Sequence, residues 1–247
     1  MNLKNKIALL TGGTHGIGAA IARKLSFEGS HVALVARNTS DCTLKEIIES
    51  NGGKCLLLSA DLTHEASCHL VVKQTVEHFG GIDILIHCAG SAAPGSIENG
   101  ARNVWYEAFD IHVHALFHLV SAALPHMQQS EQGNILMLSS AAGLRGVRNA
   151  IAYSVAKGAL PQFARSLALE LSPYNIRVNC ISPGVIRTRF QDYLTPEQVK
   201  NNIDNRIPLR REGDSEDVAE VAVMLIRNDF ITGENIVIDG GMTMRIV

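Results

Sequence analysis

Charge is scarce in this sequence: Asp, Glu, Lys and Arg make up 19% of its 247 residues, and the formal net charge at pH 7 is −2. A polyanion-binding surface needs a basic excess that is missing, so no nucleic-acid partner is expected. The five cysteines, Cys42, Cys55, Cys68, Cys88 and Cys180, are odd in number, scattered and free of any Cys-x-x-Cys pair. That argues against a disulfide framework or zinc ribbon and for a reducing, cytoplasmic setting. No uninterrupted apolar run approaches the roughly 18 residues of a membrane span, so no membrane partner is expected. The opening MNLKNKIALLTGG has only a short apolar run before a glycine turn, unlike a signal peptide. Linkers, low-complexity tracts and solenoid-length repeats are also missing, which leaves one domain over residues 1–247.

What is present is a hydrophobic fraction of 46%, ample for a core. It is organised as short apolar runs at 6–12, 31–36, 54–60, 82–88, 134–140, 176–182 and 235–241. Their brevity and continuous hydrophobicity predict parallel strands buried on both faces. Helical patterns lie between them: Ile17, Ile21 and Leu25 share a face before Gly29, and Asp214-Ser215 can cap a helix carrying Val218, Val221 and Leu225. The alternation predicts an α/β fold with a doubly wound parallel sheet flanked by helices. Residues 184–213 form the longest stretch without a clear strand, and a substrate lid is expected at 187–213.

The first strand runs into TGGTHGIG, with Gly12, Gly16 and Gly18. Glycines there permit a sharp turn and let a phosphate approach the exposed N–H groups of the next helix. They also suit a tight turn alone, and the spacing differs from G-x-G-x-x-G. In a dinucleotide site an acid about 20 residues on would meet the adenosine ribose. This chain has Ala36 and Arg37 instead. Arg37 can pair with a 2′-phosphate, with His15 as a second donor, which reads as NADP(H) rather than NAD.

Tyr153 and Lys157 sit at i and i+4 in YSVAK and share a helix face. A phenol with pKa near 10 is a poor acid at neutral pH, and a neighbouring ammonium lowers that value. Ser140 ends the strand NILMLSS, where a hydroxyl can bond an oxygen gaining negative charge.

Together TGGTHGIG, Asp61, HCAG (87–90), Ser140, YSVAK, SPGVIRT (182–188) and ITGENIVIDGG (231–241) resemble the short-chain dehydrogenase/reductase family, similar to its 3-oxoacyl-ACP reductase-like members. The resemblance covers the whole chain. It implies a Rossmann-like sheet of seven parallel strands, a homotetramer or homodimer, and hydride transfer between a nicotinamide and a ketone or alcohol. It assigns Tyr153 as acid/base, Ser140 to the substrate oxygen, and Lys157 to the nicotinamide ribose and the tyrosine pKa. Cofactor contacts are implied for Gly12, Thr14, His15, Gly16, Ile17, Gly18, Arg37, Asp61, Leu62, Cys88, Ala89, Gly90, Tyr153, Lys157, Ile186 and Thr188. No metal is implied. The expected function is an NADPH-dependent carbonyl reductase acting on a small keto substrate, anionic or thioester-linked if Arg145, Arg148, Arg187, Arg189, Arg206, Arg210 and Arg211 line the pocket. The alternatives are an enone reductase or isomerase on the same scaffold, or a catalytically impaired NADP-binding sensor.

Departures from the family pattern cluster in one place. FDIHVHALFHL puts His112 where the family usually has asparagine, which helps relay protons through a local helix distortion and its backbone carbonyl. His87 and Cys88 replace two amides, so a hydrogen bond between strands is expected to be remade or lost. His112, His114 and His118 are a weak metal set, because metal sites need three or four converging ligands. Pro161 lacks an N–H, so the Lys157 carbonyl four residues earlier loses its helical partner, and a kink or a bound water is expected there.

Overall fold

The computed structural model describes residues 1–40, 43–100, 102–192 and 194–244; Cys42, and Tyr193 within the expected lid, lie outside them. Seven parallel strands form one sheet in the order β3-β2-β1-β4-β5-β6-β7. They are β1 Ile7–Thr11, β2 His31–Ala36, β3 Cys55–Ser59, β4 Ile84–His87, β5 Gly133–Leu138, β6 Ile176–Pro183 and β7 Asn235–Ile238. Each falls within or almost within an apolar run of the sequence. Alternation explains their composition: Leu9, Leu85 and Ile135 enter one core layer with α3 (Glu65–Phe79), α5 (Ala115–Met127) and α6 (Ile151–Leu171). Leu10, Ile84 and Leu136 enter the other with α1 (Gly16–Phe27), α2 (Leu44–Ser50) and α8 (Ser215–Arg227). A sheet covered on both faces needs apolar side chains at every position.

The chain order reverses between β1 and β4, and a crevice opens at such a switch point beyond the strands' carboxyl ends. The glycine turn follows β1 there, and Cys88–Gly90 follow β4. Gly12 has φ +64°, and a Cβ on it would lie 2.8 Å from the Ala89 nitrogen. That close approach, rather than the turn alone, demands glycine.

Helix ends are closed where the sequence suggested. Asp214 and Asp217 form a reciprocal capping box, each carboxylate accepting the other's backbone N–H at 2.9 Å. At the other end of α8, buried Arg177 of β6 donates to the Leu225 and Ile226 carbonyls at 2.7 and 2.6 Å.

The 26-residue helical run Arg102–Met127 is long and apolar enough, by length and composition alone, to cross a membrane. It comprises α4 (Arg102–Phe109), a π-turn (Asp110–His114) and α5. Its stripe of Ala115, Leu116, Leu119, Ala123 and Met127 is buried in the sheet core.

Pro161 lies inside α6, which is assigned as one helix from Ile151 to Leu171. The Lys157 carbonyl that Pro161 leaves without a donor accepts the Ser139 hydroxyl at 2.7 Å. A side chain at the end of β5 therefore supplies a donor to this group.

The segment 187–213 is pinned at its base. Arg187 N–H donates to the Gly213 carbonyl and Gly213 N–H to the Val185 carbonyl, at 2.8 and 3.0 Å. Between them the chain is largely helical, with α7 (Pro196–Asn201) capped by Thr195 and Gln198.

Candidate active site

The dinucleotide end is built from backbone. His15 is the N-cap of α1 but its side chain caps nothing, bonding Thr14 Oγ1 at 2.9 Å, and the first turn holds no acid. The N–H groups of that turn thus lack a side-chain acceptor, which fits a pyrophosphate. Gly18 must be glycine because a Cβ there would sit 2.2 Å from the Gly12 carbonyl oxygen. Gly16, at φ +54°, has Thr188 Cγ2 3.1 Å from its Cβ position, so the pinned strap reaches the turn. Ile17 and Ile186 mainly pack in the core.

Arg37 is exposed at the end of β2, and its guanidinium forms no ion pair with a described residue. Asp61 is exposed beyond β3. Hydrogen bonds from Thr63 N–H and hydroxyl, 3.0 and 2.8 Å, hold its carboxyl below the usual range, with a smaller pull from Arg37. Leu62 is only 4% exposed and its side chain belongs to the core, so only its backbone is left for a ligand. Burial of the sulfur pushes the Cys88 thiol up to about 12, which favours the protonated, less reactive form.

At the reacting end, Ser140 caps the short 3-10 turn Ala141–Gly143, its Oγ accepting Ala142 N–H at 3.1 Å. That bond uses a lone pair and leaves the hydroxyl hydrogen for a substrate oxygen. Lys157 is buried, and its Nζ donates to the Leu138 carbonyl at 2.6 Å and lies 5.8 Å from the Tyr153 ring centroid. Burial lowers its pKa to about 8. Tyr153 is flanked by His112, edge-on at 5.5 Å, and by Phe190 of the 187–213 segment at 6.0 Å.

Two of the three replaced amides, at His87 and His112, are resolved differently. His87 remakes the strand tie: its Nδ1 bonds Thr11 Oγ1 at 2.9 Å and its Nε2 the Ile111 carbonyl at 3.0 Å. A carbonyl only accepts, so Nε2 carries the hydrogen and Nδ1 accepts from Thr11. His112 sits in the π-turn, where the family pattern implied a helix distortion. By the same logic its Nε2 donates to the Ser91 carbonyl at 3.0 Å, while buried Nδ1 has no hydrogen-bond partner among the described residues. Burial, reinforced by the Lys157 charge, lowers His87 to about 4 and His112 to about 2. Both imidazoles are neutral at physiological pH.

The three histidines of the π-turn region diverge. His112 faces Tyr153, exposed His114 bonds Asp110 one turn back at 2.9 Å, and His118 reaches Glu65 of α3 at 3.6 Å. Several arginines considered for the pocket have structural partners. Arg145 donates to the Thr243 and Leu144 carbonyls, Arg187 pairs with Glu212, Arg206 bonds Asn202, and Arg211 forms a bidentate pair with Asp217. Arg148 and Arg189 are exposed and without such partners among the described residues.

Sequence reasoning missed Ser139, Ser91, Thr11 and Phe190. Thr11 and Phe190 had a signal in their positions, beside the glycine turn and within the strap; the other two act through non-local contacts.

The family model described as "Enoyl-(Acyl carrier protein) reductase" matches residues 12–243. The chain belongs to the short-chain dehydrogenase/reductase family. Human "Dehydrogenase/reductase SDR family member 4" is 34% identical over 251 aligned residues, covering 99% of this chain and 90% of that protein. Among solved structures, the "Pseudomonas aeruginosa RhlG/NADP active-site complex" superposes with TM-score 0.92 at 30% identity, covering 98% of each chain. L-Sorbose reductase from Gluconobacter frateurii, complexed with NADPH and L-sorbose, gives TM-score 0.92 at 30% identity over 100% of each chain. As a member of this family the chain is an oxidoreductase with a nicotinamide cofactor and a small-molecule substrate.

Proposed function

We propose that this reductase uses NADPH to reduce a ketone, with Tyr153 as the proton donor. The observation that carries the reading is the approach of buried Lys157 to Tyr153, 5.8 Å from Nζ to the ring centroid, together with Ser140 at the end of β5, whose hydroxyl hydrogen is uncommitted within its own turn. When bound, the dinucleotide supplies a hydride to the carbonyl carbon. Ser140 bonds the carbonyl oxygen as charge builds on it, and Tyr153 delivers the proton. The Lys157 ammonium, charged below its pKa of about 8, favours the phenolate left behind. The strap 187–213 serves as a lid, with Phe190 over Tyr153 excluding water.

Preference for NADPH rests on exposed, unpaired Arg37 and the missing acid at that position, and the relatives bound to NADP or NADPH agree with it. An anionic substrate group would meet Arg148 or Arg189. A cytoplasmic setting is in keeping with the odd number of scattered cysteines and the lack of a Cys-x-x-Cys pair in the sequence. Assembly as a dimer or tetramer fits exposed Tyr106, Phe117, Val155 and Leu169 on α4, α5 and α6.

Absorbance assays with NADPH and NADH in parallel, over neutral ketones, keto acids, enones and acetoacetyl thioesters, test the reading. Turnover with NADPH, reduced by a factor on the order of 100 or more in Tyr153→Phe, is the expected result. A preference for NADH would remove the role given to Arg37. Double-bond reduction with an untouched carbonyl would move the enzyme to the enone class.

A further inference from the structure

We propose a divalent transition-metal site, of the kind that takes zinc, formed by Glu65, His69 and His118 and clamping α3 to α5. Glu65 and His69 lie at i and i+4 on one face of α3, and the third ligand comes from the neighbouring helix. Glu65 Oε1 is 3.6 Å from His69 Nε2 and 3.6 Å from His118 Nδ1. All three candidate ligand atoms lie within 4.8 Å of one another. A tetrahedral zinc ion with bonds of about 2.0–2.1 Å separates its ligand atoms by roughly 3.4 Å. Two edges of that tetrahedron are therefore nearly in place. The third closes by side-chain rotation, which exposed Glu65 and His69 and half-buried His118 permit.

The donor set decides the class of ion. Two imidazoles and one carboxylate suit zinc and its neighbours, whereas magnesium and calcium prefer all-oxygen sets. The fourth position faces water. The cluster stands apart from Tyr153 and Lys157: His118 turns toward α3 while His112, earlier in the same helical run, faces the tyrosine. The ion would therefore act as a staple between two core helices and stabilise the native state by mass action.

The test uses the full-length, chelator-treated protein. Calorimetric titration with zinc chloride is expected to give one ion per chain with Kd of about 10 µM or tighter, and zinc at about 0.1 mM to raise Tm by several degrees. His69→Gln and His118→Gln are each expected to weaken binding at least about tenfold, with metal-free Tm within about two degrees of the parent. Magnesium is expected to give no heat and no Tm shift. Zinc binding weaker than about 0.1 mM, or unchanged in both variants, would overturn the site, because the other histidines would then account for it. Equal binding of magnesium would overturn the class of ion.

Discussion

His87 and His112 are both buried, both neutral, and both stand where the family usually has an amide, yet they do opposite work. His87 is a strut between β1, β4 and the π-turn, with each ring nitrogen bonded. His112 is a wall beside Tyr153, with one nitrogen bonded to Ser91 and the other without a hydrogen-bond partner among the described residues. The comparison teaches that a histidine replaces an amide fully where the site offers both an acceptor and a donor. Where only an acceptor is offered, one polar atom stays unsatisfied. Such an atom in a candidate active site is tolerated for packing or function rather than for stability.

Acid should produce the largest effect, and it separates the two rings. Both folded-state pKa values, about 4 for His87 and about 2 for His112, lie below the ordinary 6.5, because burial and then the Lys157 charge oppose protonation. The unfolded chain therefore binds protons that the folded chain refuses, and stability falls as pH drops below about 6.5. Each ring contributes a loss on the order of 3 kcal/mol by pH 4. The His87 part levels off there and the His112 part continues. Chemical denaturation between pH 7 and 3.5 checks this. A parent protein equally stable at pH 7 and 4.5 would mean that neither ring is held neutral by burial.

Removing each ring in turn should produce the next largest effect. His87→Leu leaves the Thr11 hydroxyl and the Ile111 carbonyl without their partner in the core, at about 1–3 kcal/mol for each group. His112→Leu strands only the Ser91 carbonyl and removes an atom already unsatisfied. The His87 variant is therefore expected to lose more stability by roughly 1–2 kcal/mol, read as urea midpoints at constant m-value. Equal losses would erase the distinction between strut and wall.

Legibility followed the range of each contact. The seven strands, the caps of α8 and the glycine turn were readable because period, spacing and cap chemistry are local. Pro161 announced that the Lys157 carbonyl would lose its helical donor. That Ser139 would supply the replacement depends on how β5 meets α6, which no local pattern encodes. Arginines near the expected pocket looked available in sequence, but Arg145 was taken by the carbonyl of Thr243, nearly a hundred residues away. His118 stands in sequence with His112 and His114, whereas its neighbour in space is Glu65. Helix spacing says which residues share a face and nothing about what that face meets.

The smallest expected effect probes the contact that fixes His112 in place. A Cβ on Gly90 would lie 2.3 Å from His112 Cε1, and the imidazole is itself held by Tyr153 on one side and Ser91 on another. Gly90→Ala alone must displace that ring, and overpacking of this kind costs about 1–3 kcal/mol. His112→Asn removes ring volume and gives up the Nε2 bond to the Ser91 carbonyl, because an asparagine amide reaches only as far as Nδ1, and it leaves the π-turn carbonyls untouched. Alone it is expected to change kcat less than about threefold. In its background Gly90→Ala should lose most of its penalty, giving a coupling energy of about 1 kcal/mol or more across the double-mutant cycle. Additive penalties would show that residue 90 presses on something other than His112. A large fall in kcat for His112→Asn at unchanged stability would show that the unsatisfied nitrogen takes part in proton transfer, making the wall a working member of the site.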